Sequence, residues 1–461
     1  MARQPSNPVR VERDFIGERE VPADALYGIQ TLRALENFSL GGDRLADRPG
    51  LIVALAQTKA AAARANRDRG VLAPEIAEAI VAAAREVAGG RCHDQFPLDI
   101  VQGGGGTSTH MNMNEVLANL ANEHLGQEGE FVNRVHPLDH VNRSQSTNDV
   151  VPTAIGIAVY VAARTAREGL ARLHEELVRQ AAANEGLARL GRTCLKDALP
   201  VPVSAVHRAQ AHAVAKAASD LEARALELLA VPLGATAVGT GFGTPAGYRE
   251  SVIAHLREET GLDVSVAADS FDALASLEKY SALADAMASA GRVTARIAAD
   301  LRLLSSGPVG GIGELSLPAL QPGSSMMPGK VNPVLPELVM QVAFQLSGAT
   351  HVVNLASAAG ELELSAMGPV VACELLRGLD RLGRVAALFA DSCIRGLRWH
   401  ADRIHKNLGG SLEAAVDRAE LLGHTQAALV TAAESESDGI RDLSAPVATP
   451  TAPDLHRFRK E

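Results

Sequence analysis

Apolar residues recur at helical spacing through eight stretches of the chain: 50–69, 74–88, about 150–182, 203–230, 248–260, 272–304, 334–358 and 368–396. Most are long and Ala-rich, and no segment of comparable length alternates as a strand would. The pattern predicts an all-α protein built on a bundle of long helices. The punctuation between helices is equally marked. Charges with Pro22 and Gly28 make 10–31 an extended, turn-rich arm. Glycines interrupt 231–245. Pro322, Gly323, Pro328 and Gly329 forbid regular helix between the segments ending at 304 and starting at 334. The chain turns polar after about 400, and its Pro-, Ala- and Thr-rich end is expected to be disordered beyond Ser444.

Composition narrows the picture. A chain of 461 residues is long enough for two or three domains and a sizeable core. Hydrophobic residues make up 47% but aromatics only 3%, so the core must be aliphatic, which favours closely packed helices. The formal charge of −10 leaves no basic excess for nucleic-acid phosphates. It does not exclude an anionic substrate, because a local pocket can still be positive. Cys92, Cys194, Cys373 and Cys393 are scattered without a C-x-x-C pair, as expected of reduced thiols in the cytoplasm and not of a thiolate metal site. The first residues lack the apolar core of a signal peptide. No uninterrupted apolar run is long enough to predict a bilayer span, so no membrane partner is expected.

Three stretches carry candidate chemistry. Residues 323–332 read G-S-S-M-M-P-G-K-V-N, placing Ser324, Ser325, Lys330 and Asn332 on one rigid loop. Ordinary loop composition accounts for Gly, Pro and Ser, but not for a Lys and an Asn two apart beside paired serines. Residues 101–116 read V-Q-G-G-G-G-T-S-T-H-M-N-M-N-E-V. A phosphate-loop reading fails because no Lys-Ser or Lys-Thr pair follows. The run is better read as a flexible loop entering a helix, with Thr107, Ser108 or Thr109 as its cap. Residues 136–149 read H-P-L-D-H-V-N-R-S-Q-S-T-N-D before a long apolar helix. Ser146, Thr147 and Asn148 suit a cap there, and the same geometry makes a cradle for an anion.

The 323–332 loop resembles the G-S-S-x-M-P-x-K-x-N signature of the aspartase/fumarase superfamily, homotetrameric lyases that release fumarate. Five motifs in the superfamily's order extend the resemblance to about residue 410; the final domain matches only weakly. The resemblance implies a three-domain fold: 1–145, a central long-helix bundle over 146–400, and a small domain over 401–461. It makes Ser324 the base that removes the substrate β-proton. It gives Lys330 and Asn332 a substrate carboxylate, and extends substrate binding to Thr107, Ser146, Thr147, Asn148 and Thr193. It implies no cofactor and no metal, a small dicarboxylate substrate, and sites each assembled from three subunits of a homotetramer.

Several residues depart from the superfamily's pattern. His110 stands where Asn is usual, and taken alone it reads as structural. Cys194 replaces His or Gln, and reads as steric room with a lost polar contact, since a buried Cys behaves as a small hydrophobe. Gly243 replaces a common Asn, Leu138 another Asn, Val309 an Arg, and Ser365 and Gly368 an Asn and a Glu. Cys194, His110 and Gly243 are candidate specificity positions. The segments T-L-R-A-L-E-N-F from Thr31 and A-G-E-L-E-L from Ala359 look closer to aspartases than to fumarases. The implied activity is reversible loss of ammonia from L-aspartate. A lyase for an N-substituted or larger aspartate is the alternative. Fumarate hydration is disfavoured, because the His that pairs with the Glu equivalent to Glu337 is Cys194 here. A non-catalytic relative is disfavoured by the intact Ser324, Lys330 and Asn332.

Overall fold

The computed structural model describes residues 8–126, 134–409 and 411–437. The expected disorder beyond Ser444 lies outside them. The arm at the start is a hairpin, β1 (Val9–Asp14) against β2 (Gly17–Pro22). Arg33 fastens its tip by gripping Asp14 at 2.8 Å and donating to the Gly17 carbonyl. Arg33 lies on α1 (Ile29–Asn37), a helix the periodicity did not reveal because it is short. Buried Glu115 holds the start of α1 by accepting the backbone N–H groups of Gly28, Gln30 and Thr31 at 2.8–3.2 Å. A carboxylate is the natural partner for a helix N-terminus.

The expected long helices follow: α2 (Pro49–Asp68), α3 (Pro74–Ala88), α4 (Thr107–Leu125) and α5 (Thr147–Ala183). Next come β3 (Ala188–Thr193), β4 (Lys196–Pro202), α6 (Val203–Leu226), β5 (Ala230–Val231), α7 (Tyr248–Thr260) and β6 (Ser265–Val266). The stretch expected as one helix over 272–304 is two, α8 (Ser270–Ala275) and α9 (Glu278–Leu304). Ser276 is extended, and its hydroxyl accepts the Glu278 N–H at 3.2 Å, so it ends one helix and starts the next. The apolar spacing runs straight across this break, which hid it. After β7 (Leu315–Ser316) come α10 (Val334–Ala358), α11 (Gly368–Phe389), a π-helical turn (Ala390–Ile394) and β8 (Arg398–Trp399). The chain then forms α12 (Ala401–Leu408), α13 (Glu413–Leu422) and α14 (His424–Ser437). The fold is all-α, as expected; among the described residues there are four small sheets of two strands each.

The chain divides into two compact units, Met1–Ala182 with His207–Trp399 and Ala183–Val206 with His400–Glu461. In the first, α9, α10 and α11 pack together, and α2 packs on α3 and α7. Its core is aliphatic: α2 alone buries Ala54, Ala56, Ala60, Ala61, Ala62 and Ala63 with Ile52 and Leu55. Small side chains let helices approach closely. At the tightest crossing a Cβ on Gly169 of α5 would lie 2.2 Å from the Gly383 carbonyl of α11, so only glycine fits. By length and composition α5 is apolar enough to cross a membrane, but charged residues interrupt it and 67% of its apolar window is buried inside the protein, as in the core helix of a soluble fold. In the second unit β3 and β4 form a hairpin on which α12 and α13 pack. Its turn residues, Cys194 and Leu195, have φ of 52° and 61°, the left-handed pair that matches strand twist in a two-residue hairpin.

Candidate active site

The first turns of α4 and α5 lie together. A Cβ on Gly106, at the start of α4, would meet Val151 of α5 at 2.8 Å, so the two helix starts are in contact. Thr107 opens α4, but none of Thr107, Ser108 and Thr109 caps it. The Gln102 side chain does so, accepting the Thr109 N–H at 2.9 Å and donating to the Thr109 hydroxyl at 2.8 Å. The glycines let the chain fold back far enough for Gln102 to reach. The Thr107 hydroxyl donates to the Gly104 carbonyl at 2.8 Å. Ser146 precedes α5, and its hydroxyl accepts the Asn148 N–H at 3.2 Å, as expected of a cap. Its own proton can point toward a ligand. Asn148 donates to the Ala237 carbonyl at 2.7 Å, which ties the glycine-rich turn to the cradle.

Beneath this cradle is a buried polar network. Asp149 accepts the N–H groups of Ser146, Gly234 and Thr236 at 2.9–3.0 Å. Burial pushes its carboxyl up from the ordinary value, against those N–H groups and the Lys59 charge. Lys59 of α2 is wholly buried and reaches His110 Nε2 at 2.5 Å, Gln145 Oε1 at 2.9 Å and Asn142 Oδ1 at 3.2 Å. Burial pushes the Lys59 ammonium well below its ordinary value, partly opposed by Asp149. Burial, and then the Lys59 charge, push His110 down too, so its imidazole is neutral. The other nitrogen of His110 meets the Thr147 hydroxyl at 2.9 Å. Sequence reasoning missed Lys59, Gln102, Gln145 and Asp149. Lys59 left a signal, a lone charge on the apolar face of an Ala-rich helix.

The 323–332 loop is built differently. Among the described residues its hydrogen bonds close on itself: Gly323 N–H to the Lys330 carbonyl at 2.8 Å, and the Asn332 amide to the Gly323 carbonyl at 2.7 Å. A Cβ on Gly323 would lie 2.5 Å from the Asn332 nitrogen, so glycine is required. The Ser324 hydroxyl accepts the N–H groups of Met326 at 3.2 Å and Met327 at 2.8 Å. Donors aimed at an oxygen favour its anionic form, which a serine base needs. Lys330 is exposed and Ser324 half-buried.

A family model for lyases matches residues 17–348. An aspartate ammonia-lyase of Corynebacterium glutamicum is 41% identical over 416 residues, 90% of this chain and 79% of that protein. One of Bacillus subtilis is 39% identical over 436 residues, 94% of this chain and 91% of its own. This chain belongs to the aspartase/fumarase superfamily. The native crystal structure of a fumarate lyase:delta crystallin from Brucella melitensis superposes with a TM-score of 0.87 at 37% identity, covering 94% of this chain and 98% of that one.

The departures from the superfamily's pattern now have places. Gly243 has φ +88° with no atom near its missing Cβ; Gly and Asn both tolerate that conformation. Val309 is exposed, and Leu138 half-exposed in the π-helical turn Pro137–Val141. Glu337 faces Arg302 at 3.4 Å. Thr193 ends β3, and Cys194 sits in the β3–β4 turn of the second unit. Cys194 is exposed, not the buried small hydrophobe expected, because a hairpin turn projects its side chains outward. Ser365 and Gly368 line a mainly apolar cavity with Gly105, Asn148, Ile155 and Leu274. The buried Ser365 hydroxyl has no hydrogen-bond partner there. Among the described residues no three His, Cys, Asp or Glu side chains are placed to hold a metal ion.

Proposed function

We propose that this chain eliminates ammonia reversibly from L-aspartate to give fumarate. The chain is a carbon–nitrogen lyase. The observation that carries the reading is Ser324: its oxygen sits under two backbone N–H groups on a self-closed loop that also presents Lys330. In the reaction Ser324, as alkoxide, takes the β-proton. The carboxylate next to that carbon gains a second negative charge. Preorganised donors stabilise it, from Ser146, Thr147 and Asn148 at the helix starts and from Lys330 and Asn332 on the loop; Thr107 joins them once its hydroxyl turns from the Gly104 carbonyl to the substrate. Thr193 completes substrate binding. The amine then leaves.

The assembly is a cytoplasmic homotetramer. Two observations support the tetramer. Among the described residues the loop's hydrogen bonds close within the loop, which suits a site whose two halves come from different chains. And α10 exposes Leu338, Phe344, Val352 and Leu355, an apolar face that a lone subunit would leave in water. The working division remains 1–145, 146–400 and 401–461, with the middle domain forming the tetramer core. The cavity beside Asn148 favours one second reading, elimination from an N-substituted or larger aspartate.

The test is fumarate release followed by ultraviolet absorbance. L-Aspartate should give fumarate and ammonia in equal amounts. Release only from N-alkyl aspartates would favour the second reading, and release from none would overturn both.

A further inference from the structure

We propose that His110 is a positioning residue: it turns the Thr147 hydroxyl outward as a hydrogen-bond donor to the substrate carboxylate, at the end of a proton-ordered chain from Lys59. This rests on the lyase reading and adds a role for a residue the superfamily does not share.

The order of protons follows from counting donors and acceptors. The Lys59 ammonium has three N–H bonds and no acceptor. Its neighbours are Asn142 Oδ1, Gln145 Oε1 and His110 Nε2. The two amides are oriented by their other ends, because Gln145 Nε2 donates to the Val141 and Arg143 carbonyls and Asn142 Nδ2 to the Gln145 carbonyl. Their oxygens therefore face Lys59, and the third N–H goes to His110 Nε2. A neutral imidazole that accepts at Nε2 carries its proton on Nδ1. That proton is donated to Thr147 Oγ1 at 2.9 Å. With its oxygen accepting from behind, Thr147 keeps its own proton for the front. Thr147 is the first residue of α5, where unpaired N–H groups already favour an anion. The opposite tautomer would draw the hydroxyl proton inward and leave only lone pairs facing a carboxylate. Lys59 and His110 are buried, so solvent does not compete for these bonds. Asp149, under the same helix start, opposes the burial that lowers the Lys59 ammonium.

Neutron diffraction from the intact assembly reads the order directly. Deuterium on His110 Nδ1, none on Nε2, and three on Lys59 Nζ is the expected result; deuterium on Nε2 overturns the proposal. Kinetics provide the second readout. His110→Leu should lower kcat/KM for L-aspartate about ten- to a hundredfold, the worth of one hydrogen bond to a charged group. The same change in a Thr147→Val background should have little further effect, since the two act through one hydroxyl. His110→Asn keeps an N–H donor and should recover much of the loss. Equal losses from His110→Leu in both backgrounds would mean His110 only packs, and would overturn the proposal. Normal kcat/KM in His110→Leu, with Ser324→Ala inactive, would overturn it while leaving the lyase reading intact.

Discussion

The cradle and the 323–332 loop hold anion-binding groups by opposite means. The cradle is rooted in the core, with Asp149, Lys59 and His110 buried beneath the start of α5 and bonded across α2, α4, α5 and the 232–247 turn. The loop is exposed over much of its length and, among the described residues, hydrogen-bonded within itself, its shape set by Gly323 and the Asn332 amide. The cradle's geometry is thus coupled to folding, whereas the loop's is local. Loss of the cradle's buried acceptor should therefore cost stability, whereas damage to the loop should cost turnover alone.

The largest effect is expected at the loop's reactive oxygen. Ser324→Ala should lower kcat by about three orders of magnitude, within the range for removing a catalytic base or nucleophile, with the thermal melt unchanged. A folded variant with normal turnover would remove Ser324 from the base role. On the cradle side, Asp149→Ala leaves the N–H groups of Ser146, Gly234 and Thr236 without their acceptor. A buried donor left unsatisfied costs about 1–3 kcal/mol, and denaturant unfolding should show a loss of at least that size. Unchanged stability would mean the cradle is not rooted in the fold as described. Gly323→Ala should cost about a hundredfold in kcat, because an atom displaced by about 1 Å can cost that much, again without altering the melt. A matching fall in stability would show that the loop too is coupled to folding. The smallest effect concerns Cys194, at the exposed β3–β4 turn. Cys194→Gln should raise kcat/KM for L-aspartate up to about tenfold if a hydrogen bond is restored, and should abolish activity on a larger amine if the space is used. No change with any substrate would place Cys194 away from the pocket.

The sequence shows the cradle's surface and not its root. Ser146 and Asn148 were legible because caps have local signatures: a hydroxyl and an amide just before a long apolar run. Their support was not, since Lys59 and His110 meet across 51 residues of chain. Gln102 was overlooked as the cap of α4 because its bond to Thr109 spans a run of glycines whose conformation composition does not fix. The loop was legible throughout, Pro and Gly being local constraints. Among the helices, 248–260 and 334–358 read correctly, while the break at Ser276 and the β3–β4 hairpin did not. A polar cap inside an apolar period and a two-residue turn are both weak signals beside long helices. Cys194 was misjudged for that reason: without the hairpin, nothing marked it as exposed.

The central claim is that the cradle of one chain meets the loop of another. It is tested most directly by mixing two inactive variants, Ser324→Ala and Asn148→Ala, denatured together and reassembled. Each chain then carries one sound half. If the halves come from different subunits, random mixing restores both sound halves in about a quarter of the sites of a closed symmetric oligomer, and about a quarter of wild-type activity should return. If both halves belong to one chain, every site keeps a defect, and activity no higher than either variant alone would contradict the account.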